Sequence, residues 1–148
     1  MKKFQFRLDT LLKFRKMQKE EAQLKFAQAA NQLKVEQEHL SKIENNLEQS
    51  VNLFRNCQSE VLTVDKLKSF HNYFDKIRED IKIQVDCVNK AELLRVECLK
   101  VLESAVKNYE AVGNLRAKRL LQYQAEVLSE EQKILDELGL QNYVRKSR

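Results

Sequence analysis

The sequence predicts an all-α protein, an antiparallel two-helix coiled-coil hairpin drawn out into a long rod. Three observations carry this reading. The 148 residues include no proline and only two glycines, Gly113 and Gly139, so the chain lacks the punctuation that a fold with many turns requires. Its bulk is Leu, Lys, Glu, Gln, Ala, Arg and Val, most of which lose little entropy on entering a helix. Apolar residues recur with a 3.5-residue period, and that rhythm breaks near the middle of the chain.

The first helix is expected over about 5–61. Leu12, Lys19, Phe26, Leu33, Leu40, Leu47, Phe54 and Val61 stand seven residues apart and are apolar at seven of eight places. Leu8, Arg15, Ala22, Ala29, Glu36, Ile43, Ser50 and Cys57 interleave with them in alternating steps of four and three. A seam sustained at this period coils left-handed around a partner helix. Carried past Val61, the same frame meets Val64, Lys68, His71, Asp75 and Arg78, so the seam is lost. The β-branched Val61, Thr63 and Val64 gather at the break, and Thr63 can cap a new helix with Asp65 in its first turn. A tight turn is therefore expected at about 59–65.

The second helix is expected over about 64–138. Its seam reads Leu67, Phe70, Phe74, Ile77, Ile81, Gln84, Val88, Ala91, Arg95, Cys98, Leu102, Ala105, Tyr109 and Val112, with twelve of fourteen places apolar. Folded about the turn, the two seams bury each other with residue i near residue 126 − i. Phe70 and Phe74 then close the core opposite Phe54 and Val61, and Glu36 and Gln84 read as interruptions that leucine could replace. Near Gly113 the track slips again, to positions 113, 117, 120, 127, 134 and 138. The helix is expected to stop at "LDELGLQN", with Gly139 just past the C-cap and Leu140 folded back on Leu135, leaving a short basic tail over 139–148. The whole chain, 1–148, is read as a single coiled-coil hairpin.

The net charge of +5 is unevenly spread: residues 1–19 carry seven basic groups against Asp9, and residues 20–62 carry four basic and seven acidic groups. The pairing rule sets Arg116, Lys118 and Arg119 beside Arg7 to Asp9, so one end of the hairpin is strongly basic. Such an end attracts an acidic partner and speeds the encounter. Arg7, Lys13, Arg15, Arg116 and Arg119 are the residues expected to dock there.

Catalytic chemistry finds no foothold. His39 and His71 are the only histidines and sit in no metal-ligand spacing; Cys87 maps opposite His39, and two ligands do not make a zinc site. Cys57, Cys87 and Cys98 form no CxxC pair and read as free thiols near the seam. With no phosphate-cradling loop, no nucleophile elbow and no enclosed pocket in a two-helix fold, neither an enzyme nor a cofactor is expected. The basic run "MKKFQFRLDTLLKFRK" invites comparison with a DNA-binding zipper, but Phe4, Phe6, Leu8, Leu11, Leu12 and Phe14 interrupt it and the hairpin leaves little seam for dimerisation, so no nucleic acid and a monomer are expected. The same apolar residues would also suit a basic helix on a membrane surface. No three apolar residues occur in a row, which leaves no bilayer span and no signal-peptide core and points to a cytoplasmic protein.

The opening "FQFRLDTLLKFRKMQKEEAQLKFAQA", the central "LKSFHNYFDKIREDI" and the late "AEVLSEEQKILDEL" with its basic tail resemble the FliJ family of flagellar type III export proteins. The likeness covers nearly the whole chain, and its most specific part is the aromatic–x–aromatic–Arg–Leu start. The resemblance implies an antiparallel coiled coil like the central stalk of rotary F-type ATPases. It implies a protein that enters the hexameric export ATPase (FliI type) with its terminal end, couples it to the export-gate membrane protein (FlhA type) and handles empty export chaperones. The implied location is cytoplasmic, at the periphery of the inner membrane below the flagellum. By position, the gate-facing residues implied here are Tyr73, Ile77, Asp80 and Gln84, with an acidic Asp80 where the family pattern has a small residue. The stalk proteins of virulence injectisomes share the architecture and are the nearest alternative, followed by a cytosolic coiled-coil tether or scaffold.

Overall fold

Helix α1 (Asp9–Cys57) and helix α2 (Val64–Ser147) account for most of what the computed structural model describes, residues 2–57 and 63–148; no strand occurs among these residues. α1 starts four residues later than the expected position 5. Asp9 N–H donates to the Phe6 carbonyl at 3.1 Å, and the Leu8 carbonyl accepts from Leu12 N–H at 2.8 Å, so the helix opens on Asp9, whose carboxylate suits the positive end of the helix dipole. Residues 2–6 instead form an arm without regular structure. α2 opens as its sequence directs: Lys66 N–H donates to Thr63 Oγ1 at 3.4 Å, Leu67 N–H donates to the Thr63 carbonyl at 3.2 Å, and Asp65 stands in the first turn. The expected turn falls largely on residues 58–62, Val61 among them, which lie outside the described residues.

α2 does not stop at residue 138. It runs through Gly139 to Ser147, and neither glycine has a positive φ. One interior glycine costs a helix only about 1 kcal/mol, and no proline follows to enforce a stop. Leu135 and Leu140 are 61% and 64% exposed, so the expected fold-back contact is absent and the tail 139–148 is almost entirely helical.

The chain divides into two units. The one formed by Glu21–Glu103 contains a two-helix core in which the predicted frame holds. Every α1 seam position from Ala22 to Cys57 and every α2 seam position from Phe70 to Leu102 is buried or half-buried. Among the described residues the buried ones are Ala22, Ala29 and Leu33 of α1 and Ile77, Gln84 and Ala91 of α2. The pairing is antiparallel: Phe54 packs edge-on against Phe70 at 5.1 Å and Phe74 at 5.9 Å, and His39 meets Gln84. Leu67, expected to open the second seam, is 43% exposed, and the seam begins at Phe70. Among the described residues no side chain is completely enclosed, because two helices have no third layer to cover the seam.

The other unit comprises Met1–Glu20 and Ser104–Arg148. Here the arm lies on α2: the Phe4 ring is 5.5 Å from that of Tyr123, the Arg116 guanidinium stands 5.8 Å from the Phe4 centroid, and the Tyr123 hydroxyl donates to the Lys2 carbonyl. Lys19 places its ammonium 4.7 Å from the Tyr109 ring centre. After Gly113 the covered track of α2 is 113, 120, 123 and 127, whereas the expected positions 117, 134 and 138 are exposed. Tyr123 replaces 117 on that track because the partner is the arm, which the heptad frame does not describe.

Two stability outcomes follow from burial. Leu33→Ala, at a site 8% exposed, is expected to cost about 2–3 kcal/mol in urea unfolding, while Leu94→Ala, 49% exposed, stays within about 0.5 kcal/mol. Gly113→Ala meets nothing within 4 Å of its new Cβ and is expected to raise stability by up to about 1 kcal/mol in the same assay.

Candidate functional site

The residues expected to face an export gate divide between two tracks of α2. Tyr73 and Asp80 stand seven residues apart on one exposed flank, Tyr73 being 46% exposed. Ile77 and Gln84, also seven apart, lie in the seam at 7% and 6% exposure. An external partner can therefore touch Tyr73 and Asp80, but not Ile77 and Gln84 as they are packed. The spacing 73, 77, 80, 84 defines one broad helical face, and only the position of the partner helix decides which edge of that face is covered. The flank of Tyr73 and Asp80 continues at heptad intervals through half-buried Cys87 to Leu94 and Val101, 49% and 59% exposed. Tyr73 is partly held in place: its ring is 6.3 Å from Phe74, and its hydroxyl lies 3.4 Å from Ser50 Oγ, which donates to the Asn46 carbonyl at 2.7 Å.

Gln84 is the buried polar centre of its unit. Its Nε2 donates to the Glu36 carbonyl at 3.0 Å and to the Glu36 carboxylate, and its Oε1 accepts from His39 Nδ1 at 3.0 Å. The oxygens of Glu36 can only accept, which orients the amide and puts a proton on His39 Nδ1. His39 thus meets Gln84 through its ring nitrogen. Arg95, the other polar seam position of α2, is satisfied on its own helix by Glu92 through contacts of 2.6 and 3.1 Å. The hydrogen bond and charge from Arg95 hold the Glu92 carboxyl below the usual carboxylate range against the opposing pull of desolvation.

The second surface is electrostatic. The unit made of residues 1–20 and 104–148 carries seven basic and two acidic groups in its first segment and eight basic and six acidic in its second, a net +7. Residues 21–103 hold twelve basic and fourteen acidic groups, a net −2. Arg7, Lys13, Arg116 and Arg119 are exposed and Arg15 is half-buried, donating to Gln18 Oε1 at 3.0 Å. Among the described residues the ion pairs fall at Glu21–Lys25, Asp75–Arg78 and Glu92–Arg95, with the His71 ring 3.2 Å from Asp75, so none neutralises these five cations. A cleft of about 1250 Å³ opens between the arm and α2 in this unit, walled by Lys3, Phe4, Arg7, Arg119, Tyr123 and Glu126 among others, with no histidine or cysteine in its lining.

Among the described residues no group of three or more His, Cys, Asp and Glu side chains could hold a metal ion, and no helix is long and apolar enough to cross a membrane. The family model described as Flagellar FliJ protein matches residues 4–148. No significant match was found among curated proteins, nor among solved structures.

The Glu92–Arg95 pair has a pH signature. A carboxyl whose folded pKa is depressed contributes stability above its ordinary value and loses it as pH falls through the folded value. Glu92→Gln is expected to lower the thermal midpoint near neutral pH and to leave it unchanged in acid below the folded pKa of Glu92, as followed by circular dichroism at a series of pH values.

Proposed function

The chain belongs to the flagellar FliJ family and is therefore a component of the flagellar type III protein export apparatus, and from that premise we propose a division of labour between its two surfaces. Members of this family are non-catalytic export components that work through protein partners. The unit bearing +7 docks into the acidic interior of the hexameric export ATPase through Arg7, Lys13, Arg15, Arg116 and Arg119. The exposed flank of Tyr73 and Asp80 meets the export-gate membrane protein, and export chaperones are received on the same protein while it is held at the cytoplasmic face of the flagellar base. Ile77 and Gln84 serve the gate contact from within, by holding α2 so that the flank keeps its shape.

The observation that carries this reading is the set of unneutralised cations in one unit of a chain matched over residues 4–148 to a flagellar family. An encounter driven by exposed charges weakens as salt screens them over a Debye length of about 8 Å at physiological ionic strength. Arg7→Glu with Arg119→Glu is expected to weaken binding to the purified export ATPase at low salt and to flatten its salt dependence, with helicity unchanged. Binding that stays equal to wild type from low to high salt would refute the docking mode.

The gate contact is tested separately. Tyr73→Ala is expected to leave helicity and ATPase binding intact while reducing retention of the gate protein's cytoplasmic domain and swimming in soft agar. Phe74→Ala, which removes a ring packed 5.9 Å from Phe54, lowers the thermal midpoint instead. Normal swimming of Tyr73→Ala cells would leave the aromatic cluster a packing feature alone.

A further inference from the structure

We propose that Gln84, Glu36 and His39 form a register lock, a polar clamp that fixes which heptad of α1 faces which heptad of α2 in the unit Glu21–Glu103. The need for one follows from the seam itself. Most of the places from Ala22 to Phe54 on α1 and from Phe70 to Leu102 on α2 are apolar, and an apolar seam repeating every seven residues packs in more than one register. A slide of one heptad is about 10 Å at 1.5 Å per residue.

The polar seam residues answer the slide differently. Arg95 takes its partner with it, because Glu92 is on the same helix at i−3. Gln84 leaves its partners behind, because Glu36 and His39 are on the other helix. Sliding one way sets Gln84 against Ala29 and Gln32, and Glu36 against Ile77; sliding the other way sets Gln84 against Ile43 and Asn46, and Glu36 against Ala91. Either way the carboxylate is lost from an amide that is only 6% exposed, and an unmade hydrogen bond at a covered site costs more than a made one contributes. Glu36 keeps the Gln32 amide of its own helix at 3.0 Å in any register, but the native register alone sets the Gln84 amide against both the Glu36 carboxylate and the His39 ring, where a slide offers it the uncharged amide of Gln32 or Asn46. A single buried polar position that selects one alignment at some expense of stability is a known device of coiled coils. Here it is built from three side chains and reads the axial position of one helix against the other.

The chain carries a reporter for this lock. Cys87 lies three residues beyond Gln84, within a turn of the Gln84–His39 contact; the sequence rule 126 − i sets it opposite residue 39, and a slide of one heptad sets it opposite residue 32 or residue 46. With Cys57→Ser and Cys98→Ser, the full chain bearing Gln32→Cys or Asn46→Cys is treated with a short bis-maleimide, and cross-linking to Cys87 is read by gel mobility. Cross-linking between Gln32→Cys and Leu94→Cys in a Cys87→Ser background reports the native register. In the otherwise unaltered chain only the native pair is expected to react. Adding Glu36→Leu and Gln84→Leu together should keep the thermal midpoint at or above its starting value, raise the 32–87 or 46–87 product several-fold and reduce the native one. The exchanged pair Glu36→Gln with Gln84→Glu, which keeps an amide opposite a carboxylate, should restore the native pattern. A leucine pair that cross-links only in the native register would overturn the proposal, since the apolar seam would then set the alignment unaided. A leucine pair that loses its helical signal would overturn it too, because the three residues would be a source of stability and not of alignment.

Discussion

Within the unit Glu21–Glu103 each helix has one helical neighbour, and the single seam between them is the constraint on which the other features of that unit depend. In a protein with a third layer, a side chain that faces away from one partner is covered by another. Here it faces water, and among the described residues nothing is completely enclosed. The seam therefore does three things at once: it buries the available apolar surface, it holds the helices at a fixed distance, and it determines which residues remain outside for partners. Small residues are buried at Ala22, Ala29 and Ala91, while the Phe54, Phe70 and Phe74 rings pack together next to the start of α2. Contacts seven residues apart on the uncovered flank, such as Tyr73 and Asp80, inherit their positions from that packing.

How much of this could be read from the sequence follows from the same constraint. Wherever both partners of a contact are helical, the 3.5-residue period fixes the covered side, and the frame through Ala22–Phe54 and Phe70–Leu102 is buried or half-buried at every place. The cap at Thr63 was legible because it needs only a hydroxyl two to three residues before unpaired amides. The aromatic clasp was legible as well, since Phe70 and Phe74 fall on the seam. Periodicity says nothing about a partner that is not a helix. The arm over residues 2–6 has no heptad phase, so Tyr123, which holds Phe4 and the Lys2 carbonyl, stood outside any frame drawn from helical spacing.

The end of α2 shows a different limit. Gly139 was a reasonable stop signal, but such a signal requires a left-handed conformation or a following proline to act, and the chain supplies neither. The surrounding Leu, Glu, Gln, Asp and Arg residues outweigh one glycine. In the candidate site the frame itself contained the distinction between Ile77 with Gln84 and Tyr73 with Asp80, for the first two belong to the seam. A spacing that suits a binding face suits a core face equally well, and only the identity of what lies opposite tells them apart.

Polar residues in the seam divide by where their partners sit. Arg95 and Arg15 are satisfied along their own helices, by Glu92 and Gln18, and such pairs are indifferent to the other helix. Gln84 and Lys19 are satisfied across, by Glu36 with His39 and by the Tyr109 ring. The first kind lets a charge sit near the seam at little cost to packing. The second kind ties alignment to chemistry, because moving one helix by a heptad breaks it. An apolar residue at either crossing position would bury as much surface and specify less, which is the trade that the proposed register lock makes at 84. In the proposed role, in which a partner reads the exposed flank, a fixed alignment keeps that flank constant. A slide of about 10 Å would leave every helical residue in its helix while presenting a different set of side chains from α1 beside Tyr73 and Asp80. Holding the register is therefore part of building the surface.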